Sequence, residues 1–119
     1  MTETQHKVDG FFEGYAAALL ARDAKAIAGL YAVPSLILFP GMSIPVSDSR
    51  QTEEFFASAF GQYAGVTEVR KHIALMGEGP GTVWADVTWT FGGRAPERFC
   101  YQLIDSAEGY RIAVLTLLA

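Results

Sequence analysis

Thr82-Val83-Trp84-Ala85-Asp86-Val87-Thr88-Trp89-Thr90-Phe91 is the stretch on which the fold turns. Val83, Ala85, Val87, Trp89 and Phe91 alternate with Thr82, Trp84, Asp86, Thr88 and Thr90. Side chains along a strand point to opposite faces in turn, so this period of two sets one apolar face against a more polar one. The same period predicts a strand upstream over Val66 to Met76, with Gly77-Glu-Gly-Pro-Gly81 as the turn between them. Downstream, Gly92-Gly93 predicts a second turn, Arg98 to Ile104 a third strand, Ser106 to Gly109 a third turn, and Tyr110 to Leu118 a closing strand. The carboxy-terminal half is therefore a four-strand antiparallel meander.

The amino-terminal half has the other period. Thr2-Glu3-Thr4-Gln5 predicts a capping box. Val8, Phe11, Phe12, Tyr15, Leu19 and Leu20 then recur at helical spacing and form one broad apolar face. Asp23 predicts the cap of a second short helix carrying Ile27, Leu30 and Tyr31, which Pro34 ends. Leu36 to Phe39 predicts a short strand, Pro40-Gly41 a turn, and Ile44 to Val46 a strand pairing back. Asp48-Ser49 caps a third helix whose apolar face is Phe55, Phe56, Ala59, Phe60 and Tyr63. Helices followed by a meander define an α+β domain, with the helices laid across one face of a curved sheet.

The 119 residues suit one domain, residues 1–119. Half of them are apolar, which excludes a disordered chain. A net charge of −4, with no cluster of Lys and Arg, argues against a nucleic-acid partner. No apolar run approaches the roughly 20 residues of a membrane helix. The amino terminus lacks the pattern of a signal peptide, so the cytoplasm is the expected compartment. One cysteine, Cys100, forms no intramolecular disulfide. Several strands also carry apolar groups on both faces, as where Trp84 opposes Val83 and Ala85. Helices cover one face only, so a homodimer packed through the other face is expected.

Three sets of residues carry a family resemblance: Asp23-Ala-Lys-Ala-Ile-Ala-Gly-Leu-Tyr-Ala32, Phe39-Pro40-Gly41, and the ending Glu97-Arg-Phe-Cys-Tyr-Gln-Leu103 with Glu108-Gly-Tyr-Arg-Ile-Ala-Val114. Together with the element order they resemble the nuclear-transport-factor-2-like superfamily, nearest its SnoaL-like and ketosteroid-isomerase-like branches. The resemblance implies a cone: a mostly antiparallel mixed sheet wrapped around the first helix, leaving an apolar pocket. It does not by itself imply an activity, because the scaffold hosts many.

The isomerase works with an aspartate base, and with a tyrosine and a protonated aspartate that polarise a carbonyl. The resemblance puts the tyrosine on Tyr15. It puts the base on Phe39 and the protonated aspartate near Cys100, and neither residue can take that role. The implied pocket is retained while the isomerase's own carboxylates are not.

The candidate catalytic residues are Tyr15, His72 and Asp86. A phenol stays neutral at pH 7 and donates to a ligand oxygen, although Tyr15 equally suits a packed helix face. His72 titrates in the useful range, or is a surface histidine beside Arg70. Asp86 lies between Trp84 and Thr88, where bulk would desolvate it, or it faces outward among threonines. The expected ligand-binding set is Phe12, Tyr15, Tyr31, Phe39, Phe55, Phe60, Trp89 and Cys100. No metal-ligand spacing or phosphate-binding loop is present, and no cofactor is expected. The sequence thus points to a domain binding a small apolar molecule that bears oxygen. Isomerisation, dehydration or cyclisation by proton transfer is the chemical version of that reading. A carrier without turnover, or an interaction module with a filled cone, is the alternative.

Overall fold

The computed structural model describes residues 2–119. Helix α1 spans Glu3–Leu20 and α2 spans Ala24–Ala28. Strands β1 (Tyr31–Phe39) and β2 (Met42–Val46) form a hairpin, followed by α3 (Ser49–Ala59) and a 3₁₀ turn over Phe60–Tyr63. The meander is β3 (Val69–Gly79), β4 (Thr82–Phe91), β5 (Glu97–Ser106) and β6 (Gly109–Leu117). All six strands form one sheet in the order β2-β1-β6-β5-β4-β3. Every pairing is antiparallel except β1 with β6, which is parallel. The architecture is the expected α+β class, with helices on a mixed, mostly antiparallel sheet.

The helix starts follow from their caps. Thr2 accepts from the Gln5 amide while the Gln5 side chain accepts from the Thr2 amide, and Asp48 with Gln51 repeats the arrangement at α3. Phe12 of α1 then touches Trp89 on β4 and Tyr101 on β5. Phe11 reaches Tyr110 on β6, Tyr15 reaches Tyr31 on β1, and Glu13 pairs with Lys71 on β3. One helix meeting five strands requires a sheet that bends around it. On β4 the alternation read from the sequence holds residue by residue: Val83, Ala85, Val87, Trp89 and Phe91 are buried and their neighbours are half-exposed. Burying groups of this size stabilises the fold by about 1.5–3 kcal/mol each before chain entropy is subtracted.

Several boundaries differ from the sequence reading: β3 opens at Val69 and not at Val66, and α3 stops at Ala59, which leaves Phe60 and Tyr63 on the 3₁₀ turn. Tyr31 opens β1 instead of closing α2. The Leu30 carbonyl accepts from the Ile112 amide, which draws the chain onto β6 immediately after Gly29. Pro34, expected only to end a helix, sits inside β1 where the register with β6 shifts between Tyr31 and Leu36. A ladder interrupted at that place does not need the amide hydrogen that proline lacks. Strand β3 continues through Gly77 and Glu78, which pair with Trp84 and Val83, so the turn shortens to Pro80-Gly81. Gly81 has φ +71°, the conformation that the second corner of such a turn demands.

Candidate functional site

The open end of the bent sheet is not filled by side chains. A cavity of about 810 Å³ lies between the carboxy-terminal half of α1, α3 with its 3₁₀ extension, and the inner faces of β1, β4, β5 and β6. Leu19 of α1 and Phe55, Phe56 and Phe60 of the α3 segment form one wall. Phe39, Trp89, Phe99 and Leu115 form the sheet wall. The walls hold one another: the Phe39 ring is 5.7 Å from Phe55 and 6.0 Å from Phe99.

The polar atoms at the deep end are phenols. Tyr15 and Tyr101 line the cavity and are both 2 % exposed. The Tyr15 hydroxyl is 2.9 Å from that of Tyr31, and the Trp89 indole N–H donates to the Tyr101 oxygen at 2.8 Å. Burial, reinforced by the neighbouring phenols, pushes Tyr15, Tyr31 and Tyr101 well above the ordinary tyrosine value. All three therefore remain neutral hydroxyls, able both to donate and to accept.

The mouth is charged. Glu97 begins β5 and shares its inner face with Phe99 and Tyr101, because strand side chains repeat every second residue. The Tyr63 hydroxyl lies 2.9 Å from each Glu97 oxygen. Burial first, then the hydrogen bond to Glu97, pushes the Tyr63 phenol up to about 12. Arg94 stacks 5.1 Å over the Tyr63 ring and donates to the Gln62 carbonyl. Arg22 donates to the carbonyls of Tyr63, at 2.6 Å, and Val66, at 3.2 Å. Both arginines thus clasp the backbone just after α3 and hold it over the cavity.

Of the residues expected at a ligand, the structure brings Tyr15, Phe39, Phe55, Phe60 and Trp89 to the cavity wall. Phe12 and Tyr31 lie behind that wall. Phe12 is fully buried with its ring 4.9 Å from Tyr101, and Tyr31 backs Tyr15. Cys100 is a correction: it alternates with the inward Phe99 and Tyr101 and therefore occupies the outer face. Its sulfur sits 3.7 Å from that of Met76, and burial raises its thiol. His72 and Asp86 are on that outer face as well, separated from the cavity by the sheet. His72 is exposed, and Asp86 accepts from Arg98 at 2.9 Å. That hydrogen bond holds the Asp86 carboxyl below its ordinary value. Glu97, Tyr63 and Tyr101 were not singled out from sequence. Among the described residues no three His, Cys, Asp or Glu side chains gather as a bound metal would require.

No protein-family model matches this chain, and no curated protein matches it. Solved structures do. A domain of unknown function with a cystatin-like fold from Nostoc punctiforme is 12% identical, with a TM-score of 0.70 over 98% of this chain and 78% of that one. A ketosteroid isomerase-like protein from Erwinia carotovora atroseptica is 16% identical, with a TM-score of 0.68 over 100% of this chain and 99% of that one. This chain has the nuclear-transport-factor-2-like fold. A candidate scytalone dehydratase from Novosphingobium aromaticivorans shares the same fold at 7% identity, with a TM-score of 0.72 over 96% of this chain and 82% of that one. Identities this low carry the nuclear-transport-factor-2-like architecture across and nothing of substrate or reaction. Among the described residues no helix is long and apolar enough to cross a membrane.

Proposed function

We propose that the domain binds a small, largely apolar molecule bearing an oxygen, and that the bound oxygen meets the Tyr15 hydroxyl. The cavity carries this reading: about 810 Å³ walled by phenylalanine, leucine and tryptophan, with neutral phenols at its buried end. Apolar concavities with a few convergent polar groups are how proteins hold small ligands. Proton-transfer chemistry of the isomerisation, dehydration or cyclisation type is the enzymatic form of the reading. It receives no support from His72 or Asp86, which do not line the cavity.

The test is binding of 2-naphthol, a planar probe with one hydroxyl, followed through tryptophan fluorescence. Saturable binding is expected, and Tyr15→Phe should weaken it by about 1 kcal/mol, one neutral hydrogen bond. Unsaturable binding contradicts the ligand reading. An unchanged affinity in Tyr15→Phe makes Tyr15 a packing residue.

A second reading concerns the outer sheet face and is compatible with the first. Leu36, Leu38, Trp84, Ile104 and Val114 are only half-buried there, and Met76 is 58% exposed. An apolar sheet face of this kind supports a homodimer packed sheet on sheet.

A further inference from the structure

We infer that Glu97 is the general base of this cavity, with Tyr63 as its positioning residue, acting on a planar, largely apolar carbon acid. The inference rests on the ligand-binding reading above and adds the group that would move a proton.

Among the described residues lining the cavity, Glu97 is the one acidic side chain, and no histidine lines it. Among the described residues it has no ion-pair partner. The two cavity arginines donate to backbone carbonyls of residues 62, 63 and 66 instead. A carboxylate accepts at about four lone-pair sites, and a single phenol O–H occupies one side of this one. The Tyr63 oxygen is 2.9 Å from each Glu97 oxygen, so one O–H is shared between the two and further lone pairs remain on both. Tyr63 is itself held by the Phe91 ring at 4.9 Å. Its raised titration keeps it a donor across the neutral range.

The placement also suits an acid–base step. Glu97, Phe99 and Tyr101 run along one strand face, so the base and the deep phenol are set about 13 Å apart at their α-carbons. Trp89 lies directly across from Glu97 in the ladder and gives an aromatic wall between them. A flat molecule lying on that wall presents a C–H to Glu97 at one end and an oxygen to Tyr15 and Tyr101 at the other. The proton passes to a Glu97 oxygen, and the C–H electron pair moves into the ring system. The negative charge that leaves it collects on the oxygen held by the phenols, where neutral O–H donors stabilise it.

The probe is 5-nitrobenzisoxazole. Its ring opening needs only a base: the C–H proton goes to the carboxylate, the C–H pair completes a nitrile, and the N–O bond breaks with its electron pair staying on oxygen, which gives one coloured cyano-nitrophenolate. The intact chain should open it with saturation kinetics. Glu97→Gln should lower kcat roughly 100-fold, the scale of a single acid–base group, while 2-naphthol still binds as in the parent. Glu54→Gln, on the exposed side of α3, serves as the control. Tyr63→Phe should lower kcat about tenfold with KM unchanged, because a hydrogen bond to a charged group is lost and the binding walls are kept. A parent-like kcat in Glu97→Gln, or a parent chain that binds 2-naphthol yet opens the probe no faster than free acetate, overturns the base and leaves the ligand site standing. Failure of 2-naphthol to bind the parent overturns the ligand site itself.

Discussion

The hydroxyl oxygens of Tyr15 and Tyr31 lie 2.9 Å apart, joining helix α1 to the first strand inside the core. Tyr31→Phe should cost about 1–2 kcal/mol, because a buried hydroxyl then loses its partner. Tyr15→Phe alone should cost a similar amount. The double substitution should cost clearly less than the two together, because the polar pair then leaves as a unit. Urea unfolding of the four chains measures the coupling. Strictly additive losses would mean that the two oxygens do not interact.

Tyr15, Tyr31, Tyr63 and Tyr101 have folded-state pKa values raised above the ordinary 10.0, Tyr63 to about 12. A raised value means that the folded chain keeps protons which the unfolded chain gives up. The stability this contributes is complete below pH 10 and declines as pH climbs through the folded values. Alkaline melting curves should therefore fall steeply between about pH 10 and 12, with tyrosinate absorbance appearing together with unfolding. Tyr101→Phe should make that fall shallower.

Phe12 is fully buried and touches four aromatic rings, those of Phe11, Tyr15, Trp89 and Tyr101. Phe12→Ala should destabilise the domain by about 3–5 kcal/mol, the usual loss for an aromatic removed from a closed core. Denaturant titration checks it. A loss under about 1 kcal/mol would show that the site collapses and is not part of a rigid core.

Asp86 and Arg98 form a two-bond ion pair on the outer face. The Arg98 hydrogen bond lowers the Asp86 carboxyl below 3.8, outweighing the opposing effect of burial; the charges of Arg98 and His72 act in the same direction. The stabilisation is present above that ordinary value and is lost as pH falls through the lower, folded one. Asp86→Asn should remove this part of the acid dependence of the melting temperature. It should leave ring opening of 5-nitrobenzisoxazole untouched, because the sheet separates Asp86 from the cavity.

Trp84 lies half-exposed amid the apolar outer face. If two copies pack through that face, Trp84→Lys should convert a dimer to a monomer in sedimentation equilibrium at micromolar concentration. A parent chain that already sediments as a monomer would refute the packing.

Much of this was legible in the residues themselves. The two periods, 3.6 and 2, separated helices from meander because long amphipathic segments report burial directly. Tyr31 and Pro34 read as a helix end because local signals are blind to a partner strand at the far end of the chain. His72 stands out as the one histidine inside the fold and Asp86 for its bulky neighbour Trp84, yet neither property says which face of a strand a residue occupies. The alternation that put Val87 inward already placed Asp86 outward, and the same counting places Cys100 outward from Phe99. Glu97 was legible by that rule too, two residues before Phe99 and four before Tyr101. Its partner Tyr63 was not, because a contact between a 3₁₀ turn and a strand start depends on how α3 settles over the cavity.

The parallel union of β1 with β6 has a kinetic side. Each meander strand finds its neighbour across a short turn, whereas β1 must wait for a strand made at the opposite end of the polypeptide, with β2, α3, β3, β4 and β5 in between. Closing so long a loop forfeits chain entropy before any contact is gained. That final seam, and not the hairpins, should limit how fast the molecule reaches its native state. A refolding intermediate should therefore hold the meander while amides of β1 still exchange with solvent.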